Sequence, residues 1–336
     1  MTTTLFLPDD PQSRFREIYD ALNAERRWWR HASPLRFAAM AALTCPGKPK
    51  TVATAIRRAT ESLRNEEGWF GRLDSILRFI VATMLIAHGD SARGFLKEVK
   101  RVRKMFRRAD LRRAGAYETI TILILRMHAE NSPISETTVQ RFKAVYEEMK
   151  RHHWWLTGPD DFPACAILTG QKESPSDIGQ KTEAIYQALD DQGLSKGNPL
   201  QTAANILYLA KLQPREAARR YRKLADAFRK SGVSIWQSDY DELAILTFLD
   251  HPAKRVVDHV LENREAMKTL RPKPDRSLTF NLAASVTFLE LVRIDRNSKV
   301  ITDVKTLLDM QAMINAQQAA AAAAAASAAA AAATAS

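Results

Sequence analysis

The chain has 336 residues, 46% of them hydrophobic, with only 12 glycines and 14 prolines, which supplies ample apolar material for a core and too few turn formers for a β-rich fold. Its two cysteines, Cys45 and Cys165, sit at or inside apolar segments, which excludes a disulfide framework and predicts buried free thiols in a reducing compartment. The net charge of +12 admits attraction to nucleic acid, to an anionic membrane face or to acidic partners, so its distribution along the chain is what matters.

Residues 1–11 lack the basic and apolar regions of a signal peptide. The first element follows at Phe15, Ile18, Tyr19 and Leu22, an i, i+3, i+4, i+7 stripe that predicts an amphipathic helix. The most apolar run, 76–87, is too short to cross a bilayer and carries Arg78. No membrane span is therefore predicted, and the expected location is cytoplasmic.

Positive charge concentrates at Lys97, Lys100, Arg101, Arg103, Lys104, Arg107, Arg108, Arg112 and Arg113, along one helix and into the next loop. Within it Lys100, Arg103, Lys104, Arg107 and Arg108 are candidates for contact with a polyanion, either nucleic acid or an anionic surface. The alternative is a solvated helix face whose aliphatic stems cover its neighbours.

The amphipathic stripe recurs at Phe142, Val145, Tyr146 and Met149, at Thr182, Ile185, Tyr186 and Leu189, and at Tyr221, Leu224, Ala225 and Phe228. After each comes a short polar turn and a second helix that is apolar nearly all round, such as the segments 203–209 and 243–249. A helix without a polar face is a buried one. Second helices are expected to begin near Pro34, Asp74, Arg113, Asp161, Pro199, Tyr240 and Ser277, a period of about forty residues that suits stacked helix pairs. Pro46, Pro133, Pro175, Pro214 and Pro252 fall between pairs, where proline fits the first turn of the next amphipathic helix.

The expectation is an all-α fold: a two-layer array of about seven helical hairpins, as one domain over residues 1–308, either closed as an α/α toroid or open as an α superhelix. Residues 309–336 form an alanine-rich tail with high intrinsic helicity and little area to bury.

Turns joining the first and second helix of successive pairs are expected on one rim. The rim would carry Trp28 and Trp29, Trp69 with Asp74, Trp154 and Trp155 with Asp160 and Asp161, Asn198 with Gln201, Trp236 with Asp239, Asp241 and Glu242, and Asp275 with Arg276. Trp155, Asp160, Asp161, Asn198, Gln201, Trp236, Asp239 and Asp241 are the ligand-binding candidates, because aromatic faces exclude water around convergent polar groups. The competing reading is that the carboxylates cap helices and the tryptophans wedge hairpins. The seven histidines form no metal pattern and no nucleotide-binding or nucleophile-elbow motif occurs, so no metal or cofactor is predicted.

The stretch Trp155-Leu156-Thr157-Gly158-Pro159-Asp160-Asp161, followed by Lys196-Gly197-Asn198-Pro199-Leu200-Gln201-Thr202, resembles a bacterial family known only as domain of unknown function 4003. The resemblance covers most of the chain, including Gln317-Gln318 before the alanine tail, and is strongest over 142–249. It implies a bacterial cytoplasmic setting and a shared role for these two segments, and it carries no activity.

Three functions follow from these features. The leading one is a non-enzymatic helical-repeat scaffold that binds a protein or peptide. The second is an α/α-toroid enzyme or small-ligand binder whose mouth holds Asp160, Asp161, Asp239 and Asp241 beside Trp154, Trp155 and Trp236, with carbohydrate or isoprenoid-like chemistry by fold analogy alone. The third assigns the basic helix to nucleic acid or an anionic membrane.

Overall fold

A computed structural model of the chain describes residues 6–24, 33–66, 75–152 and 157–294. Trp28, Trp29, Trp69, Asp74, Trp154, Trp155 and the alanine tail lie outside the described residues. Among the described residues there are fourteen α-helices and no strand: α1 (Pro11–Ala24), α2 (Ser33–Ala41), α3 (Pro49–Glu66), α4 (Ser75–Ala87), α5 (Ala92–Arg108), α6 (Gly115–His128), α7 (Glu136–His152), α8 (Phe162–Thr169), α9 (Pro175–Asp190), α10 (Asn198–Tyr208), α11 (Pro214–Lys230), α12 (Tyr240–Leu246), α13 (Ala253–Met267) and α14 (Arg276–Ile294).

Amphipathic and apolar helices alternate. The odd-numbered helices bury one stripe, as α5 does with Phe95, Val99, Val102 and Phe106 and α9 with Ile178, Thr182, Ile185, Tyr186 and Leu189. Even-numbered helices are buried on nearly every side, α8 throughout and α6 from Glu118 to Met127. Each fully buried leucine, isoleucine or phenylalanine of these layers contributes about 1.5–3 kcal/mol. Three threonines within the buried helices are satisfied locally: Thr83, Thr169 and Thr247 donate to the carbonyls of Phe79, Cys165 and Leu243, one turn back, so their hydroxyls enter the core without an unmet bond.

The chain forms two compact units, the first containing described residues 6–8 and 13–140 and the second 9–12 and 141–294. In the first, α4 packs against α2 and α3, and α5 against α3 and α6. A buried ion pair between Arg126 and Asp90 fixes α6 to the α4–α5 turn, and Glu98 accepts the Ile134 N–H at 2.6 Å while holding Arg101. In the second unit, α10 packs against α8, α9 and α12, α14 packs against α12 and α13, and α11 lies between α9 and α13. Arg141 on α7 donates to the carbonyls of Thr169, Gln171 and Glu173 at 2.9, 2.5 and 2.6 Å, which ties the chain leaving α8 back onto α7. The layers are compatible with the expected hairpins.

Of the five prolines expected in first helical turns, Pro175 and Pro214 open α9 and α11, and Pro252 sits one residue ahead of α13. Pro46 and Pro133 lie three residues ahead of α3 and α7. There the helices begin instead at Pro49, another proline suited to that place, and at Glu136, whose acid meets the positive end of the helix dipole.

Candidate functional site

Two turns in the second unit have the same construction. Before α8, residues Pro159–Asp161 make a single 3-10 turn, and the Gly158 N–H donates to Asp161 Oδ2 at 2.9 Å. Before α12, residues Gln237–Asp239 do likewise, and the Trp236 N–H donates to Asp239 Oδ2 at 2.9 Å. Each carboxylate reaches back three residues to an otherwise orphaned amide, and each is buried, Asp161 to 5% and Asp239 to 0% exposure.

The two carboxylates differ in what faces them. Arg276, the first residue of α14, forks onto Asp239 at 2.8 and 3.2 Å and also donates to the Ser234 carbonyl at 2.7 Å. Its guanidinium lies 4.9 Å from the centre of the Trp236 ring, the geometry of a cation–π contact. Trp236 is itself 61% exposed. At the other turn the first residue of the next apolar helix is Asn198, whose amide donates to Asp160 Oδ2 at 3.3 Å, and among the described residues no cation shifts the Asp161 carboxyl. Burial pushes the Asp161 carboxyl up to about 7, against the opposing Gly158 hydrogen bond and with a smaller push from Asp160.

The two segments singled out in the sequence are joined. Gln201 Nε2 donates to Thr157 Oγ1 at 3.1 Å, and Thr157 in turn donates to the Met149 carbonyl at 3.3 Å, so α10 is keyed to the turn before α8 by both Asn198 and Gln201. The glycines of the segments have separate reasons. Gly197 has φ of 132°, which favours glycine. Gly158 has extended backbone, but a Cβ there would meet Asp160 Oδ1 at 2.5 Å.

Asp160, Asp161, Asn198 and Gln201 thus form one cluster, and Trp236 and Asp239 another. Asp241 lies on α12 with its Oδ1 out of solvent and without a hydrogen bond. Burial first, and then the adjacent Glu242, raise its carboxyl well above the usual range. Glu242 accepts from Asn281 Nδ2 at 2.5 Å, and Tyr221, with its hydroxyl 3.5 Å from the Tyr240 carbonyl, is raised by burial and by these acids. Trp155 is outside the described residues.

Sequence reasoning passed over Asn205. It is 4% exposed, and among the described residues neither amide atom has a hydrogen-bond partner; Gln201 Oε1, one turn earlier on the same face of α10, is likewise without one there. Both line a small cavity with Met149, His152, Thr182 and Tyr186. The signal was present as two amides at i and i+4 on an otherwise apolar helix.

The basic candidates separate into two groups. Arg103 and Arg107 fold onto α6, where Arg103 donates to Thr119 Oγ1 at 2.9 Å and both approach the buried Glu118 carboxylate. Lys100 and Lys104 are exposed and make no ion pair among the described residues, while Arg108 approaches Glu136 at 3.9 Å with both side chains largely in solvent. Among the described residues no helix is long and apolar enough to cross a membrane, and no group of three or more potential metal ligands occurs.

The chain is similar to the uncharacterized protein YeaA of Bacillus subtilis (strain 168), 28% identical over 266 residues that make up 77% of each chain. No solved structure matches it. The model of the family described as protein of unknown function (DUF4003) matches residues 18–319, the span that holds both keyed segments, and the chain belongs to that family.

Proposed function

We propose that this chain is a non-enzymatic α-helical repeat protein that binds a protein or peptide partner in the cytoplasm, with Trp236 at the contact. The observation that carries the reading is the state of that tryptophan: 61% exposed, yet held by a guanidinium that is itself locked to a buried carboxylate. Among the described residues it is the exposed large hydrophobic side chain. An aromatic displayed rigidly in solvent loses little entropy on docking, and tryptophan is among the residue types that dominate binding energy. The non-enzymatic part is supported by the carboxylates, since Asp161 and Asp239 are each spent on capping their own turn. The repeat part is supported by the shared construction of those two turns and by the alternation of amphipathic and apolar helices.

Capture from native bacterial lysate with the wild type and with Trp236→Ala as parallel baits tests the reading. A protein retained by the first, lost by the second and rebound in purified form supports it. Identical capture by both baits refutes it.

A further inference from the structure

We propose that α5 is a docking surface for the phosphate backbone of double-stranded nucleic acid, bound without regard to sequence. This goes beyond the partner-binding turn, since it concerns a different helix and a different chemistry. Helix α5 carries eight cations, Arg93, Lys97, Lys100, Arg101, Arg103, Lys104, Arg107 and Arg108, against one acid, Glu98. That is seven of the chain's excess of twelve charges within 17 residues.

The fold sorts these eight. Arg103 and Arg107 turn inward to Glu118. The other six are exposed, and at 100° per residue they fall on one face about 100° wide, running about 22 Å from Arg93 to Arg108. Glu98, on the same helix, is buried and held by Arg101 and the Ile134 amide, so the exposed face itself carries no carboxylate. At its ends Arg93 approaches Glu66 and Arg108 approaches Glu136, while Lys97, Lys100 and Lys104 in the middle make no ion pair among the described residues. Arg112 and Arg113, both exposed, extend the charge past the end of the helix.

The shape and composition of the stripe select the occupant. It is a line of cations about one side chain wide, which complements a linear polyanion. Its central residues are lysines, point charges suited to phosphate contact without base readout. No large apolar or aromatic side chain is exposed on α5, so nothing is present to stack on the bases of a single strand or to insert into a bilayer. A duplex, whose charge faces outward, needs neither.

The test is fluorescence anisotropy with a short labelled DNA duplex of arbitrary sequence across a salt series. Three to six phosphate contacts give a log–log salt slope of about −2.7 to −5.4, a loss of roughly 40- to 2,000-fold in affinity between about 50 and 200 mM salt. K97E/K100E/K104E is expected to lose binding by more than tenfold. K97Q/K100Q/K104Q, a milder change at the same exposed sites, is expected to flatten the slope by about 2.7. The control R215E/K223E/K230E on α11 changes the net charge equally at three other exposed sites and is expected to retain most of the affinity. Equal losses in the α5 and α11 reversals would mean that diffuse charge does the binding and would overturn the proposal. So would tighter binding to the single strand than to the duplex, or absence of duplex binding by a protein that sediments with phosphatidylserine vesicles.

Discussion

Asp161→Asn separates the cost of a buried charge from the benefit of a helix cap. The asparagine carbonyl can accept the same Gly158 N–H that Asp161 Oδ2 accepts now, so the turn keeps its bond while the titrating group disappears. In the wild type the folded carboxyl titrates at about 7 against an ordinary 3.8. Folding therefore holds a proton that the unfolded chain has released, and stability is lost as the pH rises from about 4 to about 7. The full cost above that range is about 4 kcal/mol, and about 2–3 kcal/mol of it accrues between pH 5 and pH 8. Urea denaturation of both proteins at several pH values reads this directly, because every other titrating group cancels in the difference. The gap in favour of Asp161→Asn is expected to widen by that amount from pH 5 to pH 8 and then level off. A pH-independent gap, or one that narrows with rising pH, would refute the assignment of an uncompensated buried carboxyl.

Other substitutions probe the neighbouring groups. Arg276→Ala strands the fully buried Asp239 without its cation and is expected to cost about 3–5 kcal/mol in denaturant titration; adding Asp239→Asn should restore much of the loss, and no restoration would mean that Arg276 acts through packing alone. Asn205→Leu is expected to stabilise the purified protein by about 1–3 kcal/mol in the same assay, since neither amide atom is bonded. A loss of similar size would show that the amide has a partner. Burial raises the Cys45 thiol to about 12 and the Cys165 thiol well above its ordinary value, so a thiol reagent near neutral pH should label neither cysteine until the chain unfolds. Rapid labelling of either in the native protein would contradict that burial.

Much of the helical layout was legible because it depends on periodicity. The stripes at Phe15, Phe142, Thr182 and Tyr221 fall on α1, α7, α9 and α11, and the seven apolar helices begin within two residues of their expected starts. Burial of a face requires apolar residues at fixed spacing, so the signal is local. The chemistry around the turns was less legible, because it depends on which side chain arrives from a distant helix. Asp161 and Asp239 look alike as acids ahead of apolar helices, and nothing near either in the chain announces that Arg276 faces one and Asn198 stands near the other. The same limit applies to the basic stretch. Its charge is visible in the sequence, but the sorting of Arg103 and Arg107 inward and Lys97, Lys100 and Lys104 outward depends on Glu118, which belongs to another helix.

The two turns share a frame and differ in the surface they carry. In both, a carboxylate closes a 3-10 turn by accepting the amide three residues back, and that bond is what starts the apolar helix. Once the cap is in place, two residues decide what the turn presents: the one whose amide is capped, Trp236 in one turn and Gly158 in the other, and the first residue of the next apolar helix. Arginine at 276 compensates Asp239 and, by lying against Trp236, holds an aromatic ring out in solvent. Asparagine at 198 engages Asp160 instead, and among the described residues no cation offsets the burial of Asp161. The exposed aromatic is thus a property of Trp236 and Arg276 together, and the uncompensated acid a property of the other turn, where glycine and asparagine stand in their places. That separation between frame and surface explains why the helices follow from periodicity while the surface features have to be read from contacts between helices.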